Sequence, residues 1–439
     1  MSQTRVASGS DQAAVLYGAA LFAQAQKKAG TFRSMVGPKP TQAEAEGKIG
    51  KLQTAPGMPI VEIYDLTTTA GETVKMDCID IVTAKPIMGS KNAEGKGSPL
   101  SFSTMDLSLN QWTFPVSGGD NLSQQRTPHN LRSLARATAV GLAARYTEQR
   151  SLVHLAGARG QANGADWVIP LQFASGSNSG GDADFADILI NPVKAPTYNR
   201  HFIVNGTDII QGGAAGSHAL KSIDSTDLLK LGHLDQLRNV IDNLDLTLQP
   251  VQIADDPAAG DEPMWVMLVP ANVYSSLLTE GSLRAFQQNA INRAAYGSKH
   301  PLFRGEVGMW NGILVKKITR AIRFLPSDYV NVIDSAGAAA GTETAVQVNT
   351  ALTAGYGVER CILLGAQALG RAYGKDSKSG THYSWAEKWQ NFGRDPEFAV
   401  FGIEGDEKVR FNVPDGTGAK VPTDHGVIVL DVACKQSVA

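Results

Sequence analysis

The chain has 439 residues, which is too long for a single compact core and predicts two or three lobes. Apolar residues make up 43% of the sequence and charged residues 19%, a balance typical of a globular protein rather than a disordered one. The formal net charge of −2 argues against a protein built to grip DNA, which would be strongly basic. The three cysteines, Cys78, Cys361 and Cys434, lie far apart in apolar runs and indicate buried free thiols rather than a zinc site.

Residues 1–60 are predicted to form an arm. An apolar stripe predicts a helix over Ala13–Ala29, and repeated glycines and prolines between Gly37 and Pro59 break any regular element after it. A solvated mobile arm and a docking arm are equally compatible with this sequence. The N-terminus has no signal-peptide pattern, and no apolar run reaches about 18 residues, so we expect no membrane span.

Residues 60–118 predict a long β-hairpin. Apolar and polar residues alternate along its first limb, Val74–Val82, and along its second, Leu100–Val116. In the second limb the alternation changes phase after Leu109, which indicates a bulge. The tip between the limbs, Gly89–Pro99, is polar and rich in glycine, so we expect the hairpin to project into solvent or to pack on a neighbouring subunit.

The strongest helix signal follows the hairpin. Thr127 is a good cap, and apolar residues with a period near 3.6 extend the helix from Pro128 to Gly157, a length of about 45 Å. His154, near its end, is placed where a positive charge suits the helix dipole. Residues 158–222 are polar and glycine-rich and are predicted to be a loop or an insertion.

The rest of the chain alternates short strands with helices and predicts an α+β fold. A second helix is predicted over Asp227–Leu244, and a strand–helix pair over residues 264–278. Buried strands are predicted at Ile313–Ile318 and Cys361–Leu364, and alternation over residues 398–432 predicts a closing pair of strands.

No motif in the sequence supports catalysis. Residues 89–97 nearly match a phosphate-binding loop, but the first glycine is one place early and Gly97 stands where a hydroxyl should bind magnesium. The aspartates at 182, 184 and 187 lack the spacing of a calcium loop, and the histidines show no paired metal spacing. We therefore expect no catalytic, metal or cofactor site, and an enzyme with an α+β core is the weaker alternative.

An aromatic run occupies residues 373–394, with Trp385 and Trp389 at its centre and lysines between them. Such a run can stack nucleic-acid bases, or it can form a subunit contact, since interfaces favour tryptophan and tyrosine. The interface is favoured here because the chain lacks the basic excess of a nucleic-acid binder.

The order of arm, hairpin, long helix, lobe and closing strands resembles the major capsid proteins of tailed phages, which have the Hong Kong 97-type fold. Three segments carry the specific part of this resemblance: WVMLVPANVYSSLL, HPLFRGEVGMWNGILVKK and RCILLGAQALGRAYGK. Their sequences are similar to those of capsid proteins from podoviruses that carry a virion RNA polymerase. The resemblance covers most of the chain.

The resemblance implies a division of the chain. Residues 1–60 would be an N-terminal arm and residues 61–118 the extended loop. Residues 119–261 would form a peripheral domain with the long spine helix and an insertion at 158–222. Residues 262–394 would form the axial domain, and residues 395–439 would return as strands to the peripheral domain.

The resemblance also implies a function. Copies of the chain would assemble as hexamers and pentamers into an icosahedral shell around double-stranded DNA, without sequence-specific binding. A separate scaffolding protein, a portal and a decoration protein would be further partners, with assembly in the host cytoplasm before the virion forms. An encapsulin-like compartment of the same fold is the alternative. We expect inter-subunit contacts at Lys91, Lys96, Trp112, Phe114, Arg132, Arg136, Arg145, Trp385 and Trp389.

Overall fold

The structure is a computed structural model. The residues that it describes are 32, 34–38, 53–64, 71–79, 86–88, 94, 102–117, 131–159, 167–169, 188–244, 246–252, 263–279, 306–335, 342–376, 382–390, 392, 395–414 and 420–436. The α-helices in these ranges are α1 Leu131–Ala156, α2 Leu231–Asn243 and α3 Ala271–Thr279.

The strands in the same ranges are, in chain order, β1 Ile60–Ile63, β2 Thr73–Ile79, β3 Phe102–Ser108, β4 Asn110–Ser117, β5 His201–Asn205, β6 Asp208–Gln211, β7 Trp265–Pro270, β8 Glu306–Trp310, β9 Ile313–Ile318, β10 Arg323–Phe324, β11 Tyr329–Val332, β12 Thr344–Gln347, β13 Tyr356–Leu364, β14 Leu369–Tyr373, β15 Tyr383–Gln390, β16 Asp395–Lys408, β17 Arg410–Pro414, β18 Lys420–Asp424 and β19 Val427–Lys435.

The central sheet has the strand order β6-β5-β19-β13-β7-β9-β8, with β10 also paired to β13. Its inner strands are buried along most of their length because both faces are covered, and β7 is apolar throughout. On β7, Val266 and Leu268 face the cluster that contains α1, whereas Trp265 and Met267 face the cluster that contains α2 and α3. The central sheet is therefore sandwiched between α1 on one side and α2 with α3 on the other.

The second sheet, called here the β16 sheet, is organised by one strand of 14 residues. One edge of β16 pairs with β4 along residues 397–404. The other edge pairs first with β15, along residues 395–402, and then with β14, along residues 404–408. Strand β1 pairs in parallel with β14 and completes the sheet. A single long strand thus holds together segments from residue 60 to residue 408.

A short link joins the two sheets where several chain segments cross. Residues 365–368 run from β13 to β14, and the Gly365 N–H donates to the Gly426 carbonyl at 2.8 Å. A Cβ atom on Gly365 would lie 2.4 Å from the Gln249 carbonyl oxygen, and one on Gly426 would lie 2.3 Å from the Ala366 carbonyl oxygen. Only glycine lets these backbones approach so closely.

The predicted hairpin divides into two structures. The phase change at Leu109 is confirmed: β3 ends there and pairs with β2, while β4 continues into the β16 sheet. The inner face of β2 and β3 packs on β17 of the same chain, with Met105 against Phe411 and with the Ser103 hydroxyl donating to the Asn412 carbonyl. The expectation of solvent or a neighbouring subunit is therefore wrong for the base of the hairpin. The tip at 89–99 lies outside the described residues except for Glu94.

The helix predicted over Pro128–Gly157 is confirmed over residues 131–156 as α1, while residues 128–130 lie outside the described part of the chain. The strand predicted over Ile313–Ile318 is confirmed as β9. Strand β9 is preceded by a two-residue turn in which Asn311 and Gly312 have φ values of 46° and 77°. Positive values at both central residues match the asparagine–glycine pair that tight hairpins favour. Local sequence therefore determines this turn.

The prediction of a loop across residues 158–222 is wrong for residues 201–211. Strand β5 lies inside the central sheet, parallel to β19, and pairs with β6. Five residues are too short for periodicity to distinguish a buried strand from a loop. Residues 160–166 and 170–187 lie outside the described part of the chain.

We expect Gly426→Ala to lower the free energy of unfolding by about 2 kcal/mol or more, because the added methyl meets the Ala366 carbonyl oxygen at 2.3 Å. Gly141→Ala is the control, since a Cβ atom at that helical position meets no atom within 4 Å. Alanine there should stabilise the chain by about 0.5–1 kcal/mol. Urea unfolding of both variants measures the difference, and equal midpoints would contradict the crowded crossing.

Candidate functional site

Polar side chains lie buried along the carboxyl-terminal half of α1. Gln149, Arg150, Ser151 and His154 are each at most 1% exposed. Helix α1 packs on β16, β4 and β14 and also reaches β13 in the central sheet. Buried polar groups are stable only when they are hydrogen-bonded or paired, so their partners define how the helix is held.

The first set of partners, called here the carboxylate cluster, joins α1 to the β16 sheet. The Arg150 guanidinium lies 3.0 Å from Glu404 Oε1 and 3.2 Å from Asp406 Oδ2. The Arg371 guanidinium, from β14, contacts the other oxygen of Asp406 at 3.0 Å and reaches Glu62 Oε1 on β1 at 3.3 Å. Three carboxylates and two guanidinium groups from four different elements thus meet in one buried site.

Aromatic donors complete the carboxylate cluster. The hydroxyls of Tyr64 and Tyr373 donate to the Glu62 carboxylate at 2.6 and 3.1 Å. The Tyr383 hydroxyl and the Trp112 indole N–H donate to the Glu404 carboxylate at 3.0 and 2.9 Å. Burial raises the pKa of Tyr373 and Tyr383, so both phenols stay protonated and act as donors.

Asp406 is the most strongly held acid of this cluster. Burial opposes its ionisation, but the guanidinium groups of Arg150 and Arg371 outweigh that effect and hold the pKa of its carboxyl well below its usual range. The Ser151 hydroxyl also donates to Asp406 Oδ2 at 3.1 Å. Asp406 is therefore a fixed negative charge at every pH at which a protein normally works.

The second set of partners, called here the Arg360 clamp, joins the end of α1 to the central sheet. Arg360 donates from Nε and Nη2 to the two Asp431 oxygens at 2.7 and 2.8 Å, and from Nη1 to the Ala156 carbonyl at 2.8 Å. The carbonyl belongs to the last turn of α1, where a positive charge complements the helix dipole. His201 Nε2 lies 2.7 Å from Asp431 Oδ2 and completes the clamp.

The expectation that His154 carries the positive charge at this helix end is wrong. Burial lowers the pKa of His154 to about 4, so its imidazole is neutral at neutral pH. Arg360, which lies 204 residues away from Ala156 in sequence, supplies the charge instead. No local pattern identifies so distant a partner.

A third buried pairing lies beside these two. Lys408 Nζ and Arg410 Nε each lie 2.7 Å from an oxygen of Asp424. Burial lowers the pKa of Lys408 to about 8, although Asp424 favours its charged form. The three pairings place most of the charged residues of the segment EGDEKVR, residues 404–410, in the interior, although charged side chains are seldom buried unless they are paired.

Several of the residues that were expected to contact other subunits pack on aromatic rings of the same chain. Trp112 is 8% exposed, and its ring contacts Tyr146 and Tyr383 at centroid distances of 5.6 and 5.3 Å. Trp385 stacks on Phe398 at 5.4 Å. Phe114 also packs on Tyr146, at 5.4 Å.

The other expected contact residues have different surroundings. Arg145 is half-buried and donates to the Gly141 carbonyl at 3.4 Å. Lys91, Lys96 and the side chains of Arg132 and Arg136 lie outside the described residues.

Trp389 differs from these residues because its side chain is 48% exposed. Phe392, in the turn between β15 and β16, is fully exposed and has a φ value of 55°. These two residues are called here the aromatic tip. A fully exposed phenylalanine with positive φ is unusual, and such strain is found more often at functional positions.

Within the described residues, no group of three or more His, Cys, Asp and Glu side chains is arranged to hold a metal ion. No helix in the described ranges is long and apolar enough to cross a membrane.

Comparison with known proteins identifies the class. Residues 5–436 match the family described as phage capsid protein, and the chain belongs to that family. It is a major capsid protein, a structural protein of the virion that forms the shell. No curated protein matches the chain.

Solved structures share its fold. The capsid of Ralstonia phage GP4 has a TM-score of 0.65 at 22% identity, over 88% of this chain and 90% of that chain. The capsid of cyanophage Pam1 has a TM-score of 0.58 at 15% identity, over 87% of this chain and 90% of that one. The head structure of Helicobacter pylori bacteriophage KHP40 has a TM-score of 0.51 at 10% identity, over 85% and 88%.

We expect Arg371→Met to lower the free energy of unfolding by about 3–5 kcal/mol, because it leaves the buried Asp406 and Glu62 short of a partner. Lys75→Met is the control, since its pairing with Asp106 is 3.9 Å long and both side chains are largely exposed. That change should alter stability by less than about 1 kcal/mol. Chemical unfolding followed by tryptophan fluorescence compares the two, and similar losses would contradict the role of the cluster.

Acid should destabilise the chain below pH 6.5. Burial lowers the pKa of His154 and of His218 from 6.5 to about 4, so between these values the unfolded chain binds more protons than the folded one. The free energy of unfolding therefore falls as pH falls through this window, by about 1.4 kcal/mol per pH unit for each histidine. Unfolding measured at intervals across the window checks this, and a constant free energy would contradict it.

Proposed function

We propose that this chain assembles as hexamers and pentamers into an icosahedral shell that encloses double-stranded DNA, with the Hong Kong 97-type arrangement of parts. Family membership supports the shell, and the likeness of the three specific segments supports a virion of the podovirus type that carries an RNA polymerase. The observation that carries the proposal is a subunit whose buried charges are paired with one another while an aromatic tip is exposed on its surface. The near-neutral net charge of −2 leaves packaged DNA free to slide.

In this proposal α1 is the spine helix, and its 26 residues give it a length of about 39 Å. Residues 1–60 form the arm, 61–118 the extended loop, 119–261 the peripheral domain, 262–394 the axial domain and 395–439 the returning strands. Of the insertion expected at 158–222, the part at 201–211 belongs to the central sheet instead. The described strands support a return of the chain end, because β16 pairs with β4 from the early part of the chain as well as with β14 and β15. A scaffolding protein, a portal and a decoration protein are proposed partners, with assembly in the host cytoplasm.

The proposed contacts between subunits use the exposed part of the surface. The large apolar side chains that are exposed in the described residues are Ile87, Met88, Phe102, Leu134, Ile210 and the two residues of the aromatic tip. Aromatic residues concentrate binding energy when a partner buries them. Lys91, Lys96, Arg132, Arg136 and Arg145 remain proposed contacts around these apolar residues.

Expression of the chain with and without a candidate scaffold, followed by negative-stain electron microscopy, tests the shell. Uniform closed particles are the expected result, because many modest contacts between copies close into a symmetric container. Small discrete oligomers under both conditions would contradict the proposal.

The double variant Trp389→Ala and Phe392→Ala should keep the stability of the subunit and raise the critical concentration for assembly by at least about tenfold. Trp385→Ala is the matched contrast on the same strand, because its ring stacks on Phe398 inside the chain. That change should lower the free energy of unfolding by about 3 kcal/mol. Light scattering and urea unfolding separate the two effects, and normal assembly of the double variant would exclude the tip as a contact.

A further inference from the structure

The Arg360 clamp contains a titratable group that the fold does not need for charge balance. Asp431 and Arg360 already neutralise each other through two hydrogen bonds, with both side chains 0% exposed. Burial opposes ionisation of Asp431, but Arg360 holds the pKa of its carboxyl well below its usual range. His201 is a third group beside a pair that is already neutral without it. The net charge of the site therefore changes when His201 gains a proton.

The neutral form of His201 fits the site. Its Nε2 lies 2.7 Å from Asp431 Oδ2, so the ring donates from Nε2 and leaves Nδ1 as the unprotonated nitrogen. Within the described residues Nδ1 has no hydrogen-bond partner and is buried. A second proton would therefore sit on a buried nitrogen that has no acceptor, at the cost of an unmade hydrogen bond.

The charged form of His201 is also opposed by its neighbours. Arg360 on β13 and Lys408 on β16 repel it, while Asp431 on β19 attracts it. The His218 ring, from the segment between β6 and α2, lies 5.5 Å from the His201 ring and faces Asp431, Arg360, Lys221 and His201 itself. Burial and these cations lower the pKa of His201, so protonation of His201 destabilises the folded chain.

We propose that His201 makes the Arg360 clamp sensitive to acid, so that its protonation releases the carboxyl end of α1 from the central sheet while the carboxylate cluster keeps its hold on Arg150. A protonated imidazole competes with Arg360 for the single negative charge of Asp431. When Arg360 no longer pairs with Asp431, its guanidinium is no longer held in place to donate to the Ala156 carbonyl. The clamp opens because two cations then share one buried anion.

The carboxylate cluster does not open with the clamp. Asp406 faces two guanidinium groups rather than one. The Ser151 hydroxyl donates to Asp406, the Tyr383 hydroxyl and the Trp112 indole donate to Glu404, and none of these donors titrates in mild acid. The two ends of the buried stretch of α1 thus respond differently to pH. The inference concerns the subunit itself and does not depend on the proposed shell.

His154 is the competing explanation, because it lies on α1 near the same end. It faces Asp406, Arg150, Lys408 and Lys194 rather than the clamp. His201→Gln and His154→Gln are therefore matched variants: each keeps a polar amide in a buried position and removes one titratable ring. Only the first removes the proposed sensor.

Hydrogen exchange of the purified chain, corrected for the intrinsic effect of pH, measures the opening of residues 153–157. If opening exposes an imidazole that titrates near 6.5, protection there should fall by about thirtyfold between pH about 7.5 and about 5. Opening of residues 153–157 also exposes His154, so the two histidines are separated at residues 201–203 and 429–431, which pair with each other beside the clamp. At those residues His201→Gln should reduce the change to less than about threefold, and His154→Gln should leave it in place. The proposal is overturned if His201→Gln keeps the full change or if His154→Gln abolishes it.

If His201→Gln does not fold, hydrogen exchange of the wild-type chain at other amides tests the proposal instead. Amides at residues 201–203 and 429–431, which pair with each other in the central sheet, should lose protection together with residues 153–157. Amides at residues 404–407 should stay protected through the same titration. If amides 404–407 lose protection over the same pH range as amides 153–157, the sensor lies at the carboxylate cluster and the proposal is wrong.

Discussion

The buried pairing of Asp406 with Arg150 and Arg371 is the constraint on which the rest of the structure depends. An isolated charge in a protein interior is costly, so each of these three groups is stable only while the other two are in position. Arg150 belongs to α1, Arg371 to β14 and Asp406 to β16. The pairing therefore fixes the helix against the β16 sheet with a directional contact that apolar packing alone does not provide.

The Arg360 clamp extends this constraint to the second sheet. Arg360 and Arg371 lie on either side of the short link at residues 365–368. Arg360 donates to the Ala156 carbonyl at the end of α1, and Arg371 donates to Ser151 in its carboxyl-terminal half. The segment RCILLGAQALGRAYGK carries both arginines and the glycine that the backbone crossing requires. Because α1 is held at two points by two sheets, the subunit behaves as one body, which suits a shell made of many copies of one shape.

Some sheet edges of the subunit are covered by other parts of the chain, whereas the aromatic tip is exposed. At the edge of the central sheet, the Ile209 N–H donates to the Gln236 side chain at 2.8 Å, which blunts that edge against pairing with other chains. At the edge of the β16 sheet, the bridge from Val36 to Ile60 covers β1. The aromatic tip, in contrast, is left open to solvent on a well-paired hairpin. Protection of some edges and exposure of one tip is the pattern expected of selective assembly.

The sequence by itself determined the elements whose signals are local. The helix α1, the strands β7 and β9, and the turn at Asn311 and Gly312 follow from periodicity and turn chemistry, which act over a few residues. The resemblance of three segments also pointed to the family. Tertiary structure decided the rest: β5 is a strand because the sheet supplies its partners, and His154 is neutral because its surroundings exclude water. Arg371 meets Glu62 across 309 residues, and no local pattern encodes a pairing of that range.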